Sequence, residues 1–229
     1  MYSVLPFDEL NKMRSMPFDQ YFGEMDLTQD QEDERIALAR SIEAAMLYFF
    51  DAVVMYLNDG VGTPAALLSL LIAELMEALD ENDIPDKEEP PDDTVPSLLA
   101  ALLYPSGGFS DRYAVMLANE LFIATFAHKD DPYFLSRDRA RLVGEEESNT
   151  VYNHIDYIKA IVQGKTKKTW VTQHDPKVRA THRPVDGVTI PISEFFQVGG
   201  ARMLYPRDVI NGANFPEEIA GCRCWIKYS

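Results

Sequence analysis

Apolar residues in the first half of the chain recur at spacings of three and four. The series Ile36, Ala39, Ile42, Ala45, Met46, Phe49, Phe50, Val53, Val54 and Leu57 draws one stripe along an amphipathic helix. Thr28 followed by Gln31 gives a capping-box pattern at its start, and no proline or glycine interrupts it before Asp59-Gly60. At 1.5 Å per residue the predicted helix is roughly 45 Å long. Thr63-Pro64 supplies an N-cap and first turn for a second helix that ends near Leu79. Short helices are expected at Val95–Tyr104 and, capped by Ser110, at Asp111–Ala127, and Ser136 caps a long helix that ends at Gly164. Stripes such as Leu117, Leu121 and Phe122 read as helix-bundle core.

After Gly164 the pattern changes. "KTKKTWVT", "GVTIPI" and "CRCWIKY" are short, β-branched or aromatic, and bounded by Gly, Pro and Asp, which is strand chemistry. The fold class this predicts is α+β: a predominantly α-helical N-terminal region with a small C-terminal α+β domain. "DENDIPDKEEPPDD", from Asp80 to Asp93, reads as a solvated acidic loop. No repeat period is visible.

Composition narrows the class. At 229 residues with 46% hydrophobic content, the chain suits one large domain or two small ones. Its apolar runs are too short or too interrupted by Asp and Glu to span a bilayer. No secretory signal pattern opens it, and two cysteines do not make a disulfide scaffold, so a cytoplasmic origin is expected. The net charge of −16 is uneven. From Val151 onward lie 11 of the 21 basic and 7 of the 37 acidic residues, leaving 10 and 30 before it. An acidic front repels nucleic acid, whereas the mildly basic tail tolerates it.

The tail also gathers the unusual residues. "WVTQHDPKVRATHRPVDG" holds His174, Asp175, Arg179, His182, Asp186 and Gly187. If Pro176 begins a short helix, Asp175 is its N-cap and Arg179 and His182 share a face. Cys222 and Cys224 flank Arg223, and in a strand residues two apart point to the same side. Three readings follow: a metal clip, a disulfide, or two small buried side chains. Strand geometry disfavours the disulfide, with Cα atoms about 6.5–7 Å apart and parallel Cβ vectors. Zinc suits two thiolates and one or two imidazoles, with His182 as third ligand and His174 as fourth. Ordinary packing of the cysteines, with His182 hydrogen-bonded among them, is the competing reading. Familiar catalytic templates are missing, although a cysteine beside His182 and Arg223 could form a thiolate–imidazole pair.

Taken together, "RARLVGEEESNTVYN", "KTKKTWVTQHDPKVRATHRPVDGVTIPISEFF", "LYPRD" and "PEEIAGCRCWIKY" resemble the head morphogenesis (minor head, Mu F-like) proteins of tailed bacteriophages. The pattern is matched first by Arg141, Glu147, Asn149, Tyr152 and Asn153 on a helix, then by Trp170 in a strand. Asp175, Arg179 and His182 follow, then Asp186 and Gly187 before Ile190-Pro191, then Pro206, and finally Gly221 to Cys224. Gly221 stands where the family usually has Asn, and His174 lies outside the pattern. The resemblance covers about residues 137 to 228. It marks residues 137–229 as a head-morphogenesis-like domain, a long helix followed by a small α+β tail, and does not extend to residues 1–136, whose own pattern and charge read as an acidic helical region.

The same resemblance implies a minor head protein without catalysis, associated with portal protein or major capsid protein and serving head assembly and DNA packaging or delivery. Packaged DNA is a further expected contact through the basic tail, and no membrane is implied. The expected location is the virion, in the capsid interior or at the portal vertex, with assembly in the host cytoplasm. The competing function is a zinc- or cysteine-dependent hydrolase or nuclease-like effector built on the tail.

Overall fold

The structure, a computed structural model, describes residues 27–82 and 109–229 together with Phe22, Met25 and Ile84. Helix α1 (Gln29–Asp59) starts at the expected cap. The Thr28 N–H donates to Gln31 Oε1 at 3.1 Å, and the Gln31 N–H returns a bond to Thr28 Oγ1 at 3.3 Å, so two orphan donors of the first turn are satisfied reciprocally. Helix α2 (Pro64–Asp80) follows, with Thr63 Oγ1 accepting from the Ala66 N–H at 3.2 Å. The expected helix at Val95–Tyr104 and most of the acidic loop Asp80–Asp93 lie outside the described residues.

Helix α3 (Phe109–Ala127) begins earlier than expected. Ser110 is inside it and buried, and its hydroxyl donates to the Ile84 carbonyl at 3.3 Å instead of capping. Phe109 joins the first turn by stacking on Tyr113, with ring centroids 5.2 Å apart. A 3-10 turn, Pro132–Leu135, leads into α4 (Arg137–Val162). Ser136 caps α4 by accepting from the Arg139 N–H at 3.2 Å. At its end the Gly164 N–H bonds Ile161 O and the Lys165 N–H bonds Ala160 O, both at 2.9 Å, with Gly164 at φ 69°. This is a Schellman stop, and the left-handed residue in it favours glycine.

The chain divides into two compact units, residues 37–144 and residues 145–229 together with those up to Ile36. In the first, α2 packs on α3, and the core includes Leu38, Ile42, Phe49, Leu71, Leu75 and Leu121. Gly144 meets α1 so closely that an added Cβ would stand 2.3 Å from the Ala39 carbonyl oxygen. The division falls inside α1 and α4, because the start of α1 makes contacts with the later part of α4. Arg35, fully buried, bonds Asp156 at 2.7 Å and lies over the Tyr152 ring at 5.1 Å, and Ser148 donates to the Arg35 carbonyl at 2.7 Å.

Beyond α4 the second unit is built from short strands. Strands β1 (Lys167–Val171), β2 (Thr189–Pro191) and β5 (Trp225–Tyr228) form an antiparallel sheet in the order β2-β1-β5. Lys168 pairs with Ile190 on one side, and Trp170 pairs with Ile226 on the other. Strands β3 (Phe196–Val198) and β4 (Ala201–Met203) make a hairpin around Gly199-Gly200, and a single turn of helix, α5, spans Pro216–Ile219. Trp170, Phe196, Val198, Met203, Ile219 and both cysteines belong to one buried cluster. Among the described residues no helix is long and apolar enough to cross a membrane. The α+β class and the helical N-terminal region therefore stand as expected.

Candidate metal centre

Two local expectations about the tail change in the structure. Pro176 begins a turn, not a helix: Asp175 Oδ1 accepts from the Lys177 and Val178 N–H groups at 2.8 and 3.1 Å, which closes the turn at once. Cys222 and Cys224 precede β5, which starts at Trp225. Their backbone leaves the ladder because side chains of α4 take its carbonyls. Asn149 Nδ2 donates to Cys222 O at 3.2 Å and Asn153 Nδ2 to Cys224 O at 3.4 Å. The two asparagines lie four residues apart on one helix, so their amides match carbonyls two apart in an extended segment. Gln173 Nε2 takes the intervening Arg223 carbonyl at 3.3 Å.

The segment is fixed from its other end as well. Gly221 has φ 66°, the left-handed region that Gly and Asn tolerate best. The residue that departs from the expected Asn thus meets the same backbone requirement. Its N–H donates to Glu146 Oε2 at 2.6 Å. Glu146 also pairs with buried Arg207, whose Nε bonds Thr150 Oγ1 at 2.6 Å and whose guanidinium reaches Glu147 Oε1 at 3.6 Å. Arg179 donates to the Ala220 carbonyl, and Arg223 pairs with Asp175.

This scaffold brings three donor atoms together. The Sγ atoms of Cys222 and Cys224 each lie 3.6 Å from His182 Nδ1, and all three side chains are buried. On the far side of the imidazole, Nε2 lies 3.1 Å from Glu218 Oε2, and Thr181 Oγ1 donates to that same oxygen at 2.7 Å. In the tautomer with the ring proton on Nε2, directed at Glu218, the Nδ1 lone pair faces both sulfurs. Trp170 stands edge-on to the imidazole at 5.9 Å. Both thiols are free.

The electrostatics couple the group tightly. The hydrogen bond from Cys224 holds the Cys222 thiol well below its usual range, with His182 and Arg179 assisting against burial. Cys224, as donor in that bond and buried, is pushed well above it. Burial disfavours a charged imidazole, but the bond and charge of Cys222, with Glu218, outweigh it and raise His182. A cleft of about 20 Å³ adjoins the three donors, room for one water molecule. Gln173, Lys177, Val178, Arg179, Gly221 and Arg223 complete its lining.

Residues 117–227 match the family model described as Phage Mu protein F like protein. This stretch of the chain belongs to the Mu F-like family. Comparison with curated proteins and with solved structures gave no match. The Mu F-like stretch begins within α3, upstream of the helix at which the sequence resemblance starts.

Most of the motif residues of the Mu F-like domain lie around the cysteine segment. Asn149, Asn153, Asp175, Arg179 and Arg223 hold its backbone or flanks, while Glu147 reaches it through Arg207. Asp186 and Gly187 form a turn beside β1: Asp186 Oδ1 accepts from the Thr172 N–H at 2.8 Å, and the Gly187 N–H donates to Trp170 O at 2.9 Å. Arg141 is elsewhere, 3.9 Å from Glu43. His174 does not join the cluster. It is largely exposed and lies 3.3 Å from Asp186. Arg207, Thr181 and Glu218 escaped the sequence reading. Arg207 at φ 61° and Glu218 in a four-residue helix carry no spacing that would have marked them.

Proposed function

We propose that the protein is a minor head component of a tailed bacteriophage, acting in head morphogenesis by association with portal protein, major capsid protein or both. The supporting observation is the Mu F-like match over residues 117–227. The geometry favours a structural domain over a catalytic one. Several of its motif residues are engaged in holding one backbone segment, and among the described residues that line the cleft beside the donor cluster none is a carboxylate. Packaging or delivery of DNA follows from the same head reading, with the protein in the capsid interior or at the portal vertex after assembly in the host cytoplasm. Direct contact with packaged DNA would fall to the remaining tail cations, because Lys168, Arg179, Arg207 and Arg223 are directed to internal partners.

The test is isolation of the full chain from phage-producing cells together with mass spectrometry of purified particles. Co-purification with portal or major capsid protein, and presence in the particles, are expected. Recovery only as a free monomer, with particles lacking it, would overturn the reading.

A further inference from the structure

The donor cluster has the features of a metal site on grounds separate from the head-protein reading. Cys222 and Cys224 offer two sulfurs, and His182 offers one nitrogen from 40 and 42 residues away. The ligand atoms of all three lie within 4.8 Å of one another. Zinc bonds of about 2.0 Å to nitrogen and 2.3 Å to sulfur, held at a tetrahedral angle, separate N and S by about 3.5 Å. Both observed separations are 3.6 Å. Soft sulfur donors with one imidazole in a tetrahedral arrangement select zinc among the common divalent ions.

The surroundings answer the same description. Glu218 accepts from His182 Nε2 and is itself bonded by Thr181, which is the carboxylate–histidine arrangement that orients an imidazole ligand. Gly199 presses on this carboxylate from the β3–β4 turn: at φ 54°, an added Cβ would stand 2.0 Å from Glu218 Oε1. The cysteine backbone is clamped by Asn149 and Asn153. Four elements therefore fix the three donors, and the water-sized cleft opens beside them.

We propose that Cys222, Cys224 and His182 bind one zinc ion, with water from the cleft as fourth ligand and His174 excluded. The ion closes the tail as a clip between the turn before β2 and the segment before β5.

Full-length protein produced in zinc-supplemented medium and desalted without chelator should contain about one zinc per chain by elemental analysis. C222S and C224S should each lose it, and H174A should retain it. Because the serine variants can fail to fold, the wild-type chain is also stripped and reloaded with cobalt(II). Tetrahedral d–d bands with sulfur-to-cobalt charge transfer are expected. A folded wild-type protein that holds no zinc and gives no such spectrum overturns the site. Loss of zinc in a folded H174A variant overturns the three-ligand composition.

Discussion

Lys168 is buried in β1 with its ammonium donating to the Leu204 carbonyl at 2.7 Å, over the rings of Tyr157 and Phe196 at 4.9 and 5.4 Å. Burial lowers its pKa to about 7, although Asp208 and Glu194 pull the other way. In the unfolded chain it returns to the ordinary value of 10.5. Between those values the unfolded state binds more protons, so this residue makes stability rise with pH from about 7 upward. Below pH 7 both states are charged, and the folded state carries the full cost of a buried ammonium. Relative to Lys168→Met, wild-type unfolding free energy should increase by about 1–3 kcal/mol from pH 7 to 9 in urea titrations. A difference that stays flat with pH would show that the ammonium is solvated. Neither the depth of Lys168 nor its aromatic surroundings could be read from "KTKKTW", where three lysines look alike. Alternation along a strand marks which positions share a face, but not which cation of a run is enclosed.

At the scale of elements, Gly144 is the sharpest test of helix packing. In an exposed helix interior, Gly→Ala gains about 1 kcal/mol. Here the new methyl meets the Ala39 carbonyl oxygen of α1 at 2.3 Å, and backbone cannot yield as a side-chain tip would. Gly144→Ala should therefore destabilise by about 1–3 kcal/mol in thermal or urea unfolding, and a stabilised variant would show that α1 and α4 do not approach as closely. Elements whose signals are local were legible: the Thr28–Gln31 box, the Thr63 and Ser136 caps, and β1 and β2 stand as read. Elements set by distant partners were not. Ser110 became helix interior because Ile84 offered it a carbonyl, and the cysteines left the strand because two asparagines of α4 took their carbonyls. The convergence of His182 with both cysteines was legible from residue type, while the carboxylate behind it was not, since Glu218 lies 36 residues away in the chain.

For the whole molecule, the division inside α1 and α4 has a consequence for truncation. The unit that contains the donor cluster includes Arg35, whose buried guanidinium pairs with Asp156 and covers Tyr152. A fragment of residues 137–229 keeps every motif residue, yet it leaves Asp156 without its cation and strips cover from the later part of α4. Breaking such a buried pair alone costs about 3–5 kcal/mol, a large share of a small unit's stability. The fragment should lack a cooperative unfolding transition under conditions where the full chain shows one. A fragment as stable as the full chain would show that α1 contributes nothing to this unit.

The three-stranded sheet has one more implication. Its lateral strands, β2 and β5, are three and four residues long. β2 closes on Pro191, which has no N–H to offer, and β5 carries Lys227. Short strands, proline and lysine are the devices that keep an open sheet edge from recruiting a second one. Copies crowded together would accordingly stay distinct from one another instead of fusing strand to strand into fibrils, and any ordered contact between them would be made through side chains.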